Sequence, residues 1–258
     1  MKIQLLLSVL IAAITVPSVA VADVSLGDIA IIGFRSDTAD GFAFVAVSPI
    51  SNNDAITFWD SGFIGPGTGE AGGGNWRGTE NSLVWTNNTG AELAAGTVVV
   101  VSANTADVGE VSSGSLTGLS TSGDQIFAGF GGTAPSGNPS EYDGSLLYGI
   151  HFDGSDWDAP GAGVNSSNES ALPTTLANHN LAIPEVDNSQ YTGSRTFTSS
   201  ADLLAAVRDI NNWTGNNDSN AFGALDSTDF SMAVPEPSSA GLIVLCGLQF
   251  LRRRSRRQ

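Results

Sequence analysis

The residues best suited to metal chemistry are concentrated in one short segment, His151-Phe-Asp-Gly-Ser-Asp-Trp-Asp158. Calcium is bound by oxygen ligands, and Asp153, Asp156 and Asp158 around a glycine offer a set of this kind. The order of acids, glycine and closing glutamate that defines an EF-hand loop is absent from this segment. Two interpretations stay open: a calcium site, or a solvated acidic turn in which Trp157 packs on the core.

Other kinds of catalytic and metal site are excluded by composition. The chain has only two histidines, His151 and His179, and its one cysteine, Cys246, lies near the C-terminus. A thiolate zinc site, a cysteine nucleophile and a three-histidine site are therefore excluded from the region before that cysteine. No Gly-x-Ser-x-Gly motif is present, so a hydrolase nucleophile elbow has no support.

Three further features admit more than one interpretation. Gly67-x-Gly69-x-x-Gly72 matches the letters of a dinucleotide motif, but more glycine follows it instead of a helix, so we interpret it as a loop. Carboxylates are abundant enough to supply a glycosidase pair, yet no spacing singles out two of them. The aromatic side chains could stack on sugars or fill the core. The five tryptophans are Trp59, Trp76, Trp85, Trp157 and Trp213.

The charge of the chain is strongly negative, with a formal net charge of −16 at pH 7. All 26 acidic residues lie between Asp23 and Pro237, where the sequence has four arginines and no lysine. Such a surface repels phosphate groups, so neither nucleic acid nor an anionic lipid surface is an expected partner for this region.

The hydrophobic periodicity of the region that carries these groups is mainly that of strands. The runs 29–34 and 42–47 flank a turn that ends in Asp40-Gly41, which predicts a β-hairpin. One helix is predicted over 200–210, capped by Ser199 or Ser200. Many short strands with a single helix predict a mostly β fold, a β-sandwich. The other predicted strands are 55–59, 83–86, 97–102, 125–130, 146–152 and 190–197.

The first 22 residues have the pattern of a signal peptide. Lys2 precedes an apolar run over 5–16, and Ala20-Val21-Ala22 fits cleavage before Asp23. The alternative, an uncleaved anchor helix, is disfavoured because the run is short for a membrane span. We expect signal peptidase to release a chain that begins at Asp23.

The last 26 residues, 233–258, combine a short apolar run with a basic end. The run 238–251 is marginal in length for a transmembrane helix. The basic side chains after it act as a stop-transfer signal, which leaves the C-terminus in the cytoplasm and the preceding domain outside. These side chains are Arg252, Arg253, Arg254, Arg256 and Arg257.

The order Val234-Pro235-Glu236-Pro237, apolar run and arginine cluster resembles the PEP-CTERM sorting tail of Gram-negative bacterial proteins. The resemblance implies processing by an exosortase, a membrane cysteine protease that cuts at or near this motif. Pro235, Glu236 and Pro237 are then the recognised element and have no catalytic role. Tails of this type also carry the name ice-binding-protein C-terminus, which describes the tail and is no evidence of ice binding.

A second resemblance covers residues 27–104. The stretches 28–34, 42–47, 56–60 and 93–101 look like those of exported bacterial domains akin to lamin-tail sandwiches. The resemblance implies immunoglobulin-like topology and a binding or structural role, and it assigns no functional residue.

The sequence thus predicts a signal peptide (1–22), an exported β-sandwich domain (23–232) and a sorting tail (233–258). We expect a non-catalytic structural or binding protein of the cell envelope or extracellular matrix, with exopolysaccharide as a partner and no cofactor other than calcium. The alternatives are a secreted hydrolase that acts on polysaccharide and a calcium-dependent adhesion module. Whether the mature chain stays anchored in the membrane is left open.

Overall fold

The computed structural model describes residues 23–37, 39–65, 75–78, 80–137, 140–161 and 164–232. The predicted signal peptide with Ala20 and Ala22, the glycine-rich loop 67–72 and the sorting tail 233–258 lie outside these ranges. Within the described ranges, no helix has both the length and the apolar composition that crossing a membrane requires.

Two six-stranded sheets account for most of the described fold, which confirms the prediction of a mostly β protein. The first sheet has the strand order β15 (Trp213–Asn216), β13 (Asn188–Tyr191), β1 (Ile29–Arg35), β2 (Gly41–Ala46), β7 (Val98–Ser102) and β8 (Thr105–Ala106). The second has the order β12 (Asn180–Ala182), β11 (Ser145–His151), β10 (Gln125–Phe130), β3 (Ala55–Trp59), β6 (Ser82–Thr86) and β9 (Glu110–Ser115).

The remaining elements are short. Two small sheets pair β4 (Phe63–Gly65) with β5 (Asn75–Trp76) and β14 (Thr196–Phe197) with β16 (Ser231–Met232). The α-helices are α1 (Ser200–Val207) and α2 (Ser219–Phe222), and single 3₁₀ turns cover Thr174–Leu176 and Ile210–Asn212.

Aromatic rings from the two large sheets interlock between them. Phe34 of β1 stacks on Phe152, which directly follows β11, with ring centroids 3.9 Å apart. Phe58 of β3 contacts Phe42 and Phe44 of β2 at 4.6 and 5.2 Å. All five side chains are fully buried. Since burying a phenylalanine contributes about 1.5–3 kcal/mol, this layer is a major source of stability and is consistent with the predicted β-sandwich.

A second hydrophobic cluster covers the outer face of the second sheet. Because side chains alternate along a strand, Phe58 faces the first sheet whereas its neighbour Trp59 faces away from it. The Trp59 ring packs against Trp76, Phe127 and Tyr142 at centroid distances of 5.3, 6.0 and 4.6 Å. The second sheet is therefore buried on both faces at this point, which explains why β3 and β10 are almost continuously apolar.

The helix α1 begins at the predicted position and ends before the predicted one. The Ser199 side chain accepts a hydrogen bond from the backbone N–H of Asp202, as expected of an N-cap. The helix ends at Val207, and Ile210 instead begins a 3₁₀ turn with 39% of its side chain exposed. The prediction that Ile210 belongs to the buried helix face is wrong.

The prediction of one continuous strand over 190–197 is also wrong, because the middle of this range does not belong to a strand. β13 ends at Tyr191, and β14 contains only Thr196 and Phe197. The Tyr191 hydroxyl donates a hydrogen bond to the Ser194 carbonyl at 2.8 Å and closes a turn. Gly193 lies against the same ring, where a Cβ atom would come within 2.5 Å of the hydroxyl oxygen.

Candidate metal centre

His151 is the last residue of β11, and the sheet fixes the direction of its ring. β11 pairs with β10 on one side, where His151 lies opposite Gln125, and with β12 on the other, where it lies opposite Ala182. The backbone N–H of Ile183 donates to the His151 carbonyl at 2.8 Å. The side chain is only 1% exposed. Since neighbouring strands hold the backbone on both sides, the imidazole is held in a fixed position as the chain leaves the sheet.

His151 forms a group of potential ligands with two carboxylates of the following loop. One ligand atom each of His151, Asp153 and Asp158 lies within 4.8 Å of the others. The imidazole Nε2 is 3.7 Å from Asp158 Oδ2. That distance is too long for a hydrogen bond. Two ligands of a tetrahedral metal ion at about 2.1 Å would be about 3.4 Å apart, so the observed separation is close to that of a shared ion.

Backbone contacts hold the two carboxylates in place. Asp158 Oδ2 accepts a hydrogen bond from the Ser170 backbone N–H, and the Asp158 N–H donates to the Ser170 carbonyl, both at 2.9 Å. Asp153 lies against Gly123, which has a φ of 93°. A Cβ atom at Gly123 would come within 2.5 Å of Asp153 Oδ1, so only glycine permits this approach.

The electrostatic environment favours an uncharged His151. Burial lowers the pKa of the imidazole, and the carboxylates of Asp158 and Asp153 and the backbone carbonyls of Asn168 and Asp156 oppose this effect without cancelling it. Neither ring nitrogen has a hydrogen-bond partner of normal geometry within the described residues. A neutral imidazole with a buried, unpartnered nitrogen is the form of histidine that binds metal ions.

Asp153 experiences the opposite effect. Partial burial raises the pKa of its carboxyl group, and the negative charges of Asp158, Glu185 and Glu169 act in the same direction, whereas His151 lowers the pKa. Like charges gathered in one place repel one another unless a cation neutralises them. The arrangement is thus suited to holding a divalent cation.

The Trp157 ring closes one side of the group. It stacks on the His151 imidazole with centroids 5.0 Å apart and contacts Phe127 of the outer cluster at 5.6 Å. The indole N–H donates to Asn180 Oδ1 at 2.9 Å, which fixes its orientation. The interpretation that Trp157 packs on the core is therefore correct. Three of the other tryptophans are fully buried and cannot serve as sugar platforms in this structure: Trp59, Trp76 and Trp85.

The structure brings together two of the three predicted ligands and adds one. Asp153 and Asp158 belong to the group, whereas Asp156 is exposed and is not part of it. The histidine was not predicted as a ligand. A signal for it was present, because positions 151 and 153 are two apart and side chains two apart in an extended chain point to the same side.

A buried polar network lies beside this site, at the same end of the second sheet. Asp60 follows β3 and Asp124 precedes β10, and both are at most 5% exposed. The Gln125 side-chain amide donates to the Asp60 carbonyl and to Asp124 Oδ1. Burial raises the pKa of Asp60 to about 6 and the pKa of Asp124 well above its usual value. These buried acids were not predicted, since nothing in their local sequence pattern distinguishes them from surface aspartates.

No protein-family model, curated protein or solved structure matches this chain.

Proposed function

We propose that the domain is a non-catalytic binding module that takes up a divalent cation through His151, Asp153 and Asp158. The observation that carries this proposal is the convergence, within 4.8 Å, of two carboxylates and a buried imidazole whose nitrogens make no hydrogen bond of normal geometry within the described residues. One nitrogen and two oxygens suit zinc or a similar transition metal better than calcium, which prefers oxygen ligands only. Three protein ligands leave at least one coordination position for water or for an oxygen atom of a partner molecule. Such a site favours metal-dependent adhesion over a purely structural role.

Zinc is expected to stabilise the folded protein and to do so through these three residues. An ion at one hundred times its dissociation constant, bound only by the folded state, adds about 2.7 kcal/mol. His151→Gln and Asp153→Asn should each weaken zinc binding by about tenfold or more, since even residues that merely support ligands have effects of that size. Calorimetric titration and thermal unfolding with zinc, manganese and calcium, each after chelation of bound metal, measure both quantities.

The matched control is Asp156→Asn, which removes a carboxylate from the same loop outside the ligand group. It should bind zinc within about twofold of the unmodified protein, because screening reduces the influence of an exposed charge. A response to calcium alone that disappears in Asp156→Asn would contradict the proposed ligand set and restore the calcium interpretation of the acidic loop.

For the whole chain we propose export, exosortase processing and a place in the cell envelope or extracellular matrix. Support comes from the signal-peptide pattern, the Val234-Pro235-Glu236-Pro237 motif and the arginine cluster. Two packed sheets are also compatible with the immunoglobulin-like, lamin-tail-like topology that the resemblance implies, and we propose that topology for the domain.

Processing makes a direct prediction about the ends of the exported protein. Intact-mass and terminal-peptide mass spectrometry should find Asp23 at the N-terminus, and the arginine-rich end should be missing after exosortase cleavage. In a strain without the exosortase the arginine-rich end should remain. Recovery of an exported form that retains Met1 or Lys2 would refute the signal-peptide assignment.

A further inference from the structure

A cleft of about 420 Å³ lies on the outer face of the second sheet, and its described lining includes none of the three candidate metal ligands. Its floor is formed by side chains of β3 and β6 that point away from the first sheet, including Thr57 and Ser82. One wall is the segment 132–136 between β10 and β11, and the other includes residues of β9. The Thr57 hydroxyl donates a long hydrogen bond of 3.5 Å to the Gly132 carbonyl, at the start of segment 132–136.

Among the residues that the structure describes, the lining of the cleft is rich in hydroxyl groups and includes no basic side chain. Its hydroxyl-bearing residues are Thr57, Ser82, Ser113, Thr133 and Ser136. A hydroxyl group both donates and accepts hydrogen bonds, so such a lining matches a ligand whose own surface consists of hydroxyl groups. The absence of a cation from the described lining disfavours phosphate, sulfate and uronate ligands, which proteins hold with arginine or lysine.

Glu80 supplies the only carboxyl group among the described residues that line the cleft. Burial is the main cause that raises the pKa of its carboxyl group, and the negative charge of Asp60 acts in the same direction. The charge of Arg77 lowers the pKa, and the net result is a pKa of about 8. Asp124, whose own pKa is affected by Glu80, adds a further acidic group nearby. At neutral pH the Glu80 side chain is therefore mostly an uncharged O–H donor.

We propose that this cleft binds an uncharged saccharide, with the Glu80 carboxyl group donating a hydrogen bond to a sugar oxygen. The lining hydroxyl groups supply the other polar contacts, and the partly exposed side chains of Val84 and Ala134 contact an apolar face of the ring. The single carboxyl group of the described lining suits binding, whereas glycoside hydrolysis requires two. The proposal goes beyond cation binding and does not depend on it.

The test measures binding of neutral oligosaccharides to the full-length protein with a metal chelator present throughout. A glycan array with neutral and uronate-containing oligosaccharides identifies a binding probe at pH 6.5, and calorimetric titration then follows its affinity between pH 6 and pH 9.5. We expect neutral probes to bind, and affinity to fall by about tenfold in total as the pH rises through about 8 and Glu80 loses the proton that it donates.

Two substitutions at position 80 separate donor chemistry from folding. Glu80→Gln keeps the size of the side chain and a hydrogen-bond donor and cannot ionise, so it should bind the probe at pH 6.5 and lose the pH dependence. Glu80→Ala should bind about tenfold more weakly, as expected for the loss of about 1.4 kcal/mol of hydrogen bonding.

Controls at other sites complete the experiment. Glu92→Gln removes the same charge from an exposed position and should bind as the unmodified protein does. His151→Gln should retain saccharide binding, which keeps this result distinguishable from the fate of the metal proposal. Absence of binding by every neutral probe, preference for uronate probes, or a pH dependence that persists in Glu80→Gln would each overturn the proposal.

Discussion

Replacing Asp60 by asparagine is expected to raise the free energy of unfolding at pH 7.5 by about 3 kcal/mol. This free energy corresponds to the rise of the Asp60 pKa on folding, from 3.8 to about 6. The carboxyl group is 2% exposed, and its Oδ1 has no hydrogen-bond partner within the described residues. Its Oδ2 accepts a long hydrogen bond of 3.4 Å from the Asn81 side-chain amide. Burial of a poorly solvated negative charge is thus the main cause of the shift, and an asparagine removes that charge without changing the shape.

The sign of the pH dependence follows from the direction of the shift. Because the folded state holds the Asp60 proton more tightly than the unfolded state, the contribution of this group to stability is fully present below about pH 4 and is lost as the pH rises through about 6. The unmodified protein should therefore lose stability between pH 4 and pH 7. Asp60→Asn should flatten that decline but not abolish it, since the pKa of Asp124 is also raised.

Urea unfolding at pH 4.5, 6.0 and 7.5 measures this difference, with the exposed Glu92→Gln as the matched loss of one charge. Glu92→Gln should follow the unmodified protein to within about 0.5 kcal/mol, as surface substitutions usually do. Parallel pH profiles for Asp60→Asn and the unmodified protein would show that Asp60 ionises in the folded state as easily as in water, and the argument from burial would then be wrong.

Strands with a strong apolar pattern were predictable from the sequence because their burial leaves a local signature. The predicted bounds of 55–59 and 125–130 are those of β3 and β10, and the hairpin of β1 and β2 forms around the predicted turn. The strand β9 was missed because its residues, Glu110–Ser115, are polar and mostly exposed and so lack a recognisable alternation. Such an edge strand is specified by its partner β6 more than by its own composition.

The candidate sites show where local sequence reasoning ends. The local sequence does not distinguish the three aspartates of the acidic loop from one another. In the structure, Asp153 contacts Gly123 and Asp158 contacts Ser170, whereas Asp156 is exposed. The cleft that contains Glu80 is assembled from three strands and a distant loop, so no window of the sequence displays it. The distance between side chains on different strands depends on how the strands are paired. The sequence of one strand alone does not determine that pairing register.

Substituting alanine for either of two adjacent residues of β3 is expected to destabilise the protein equally but to affect zinc binding differently. Phe58 and Trp59 are both fully buried, one between the sheets and the other in the outer cluster. Loss of either large aromatic side chain should cost about 3–5 kcal/mol, because the cavity cannot close completely. Urea unfolding of Phe58→Ala and Trp59→Ala provides this comparison.

Only Trp59 is connected to the metal centre by contacts through the outer cluster. Its ring packs on Phe127, which contacts Trp157, which in turn stacks on His151. Trp59→Ala should therefore loosen Trp157 and raise the zinc dissociation constant by about tenfold, the lower end of the effect of residues that support a ligand. Phe58→Ala should change it by less than about twofold, as independent sites do not couple.

The two variants must be titrated with zinc at a temperature at which both are fully folded by circular dichroism. Under that condition, an equal loss of zinc affinity in both would show that overall stability controls the site and that the ring contacts have no special part in it. Unchanged affinity in Trp59→Ala would show that Trp157 holds its position through the hydrogen bond to Asn180 alone. A loss confined to Trp59→Ala is the result that the structure predicts, because the imidazole is supported from the outer face of the second sheet and not from the interior between the sheets.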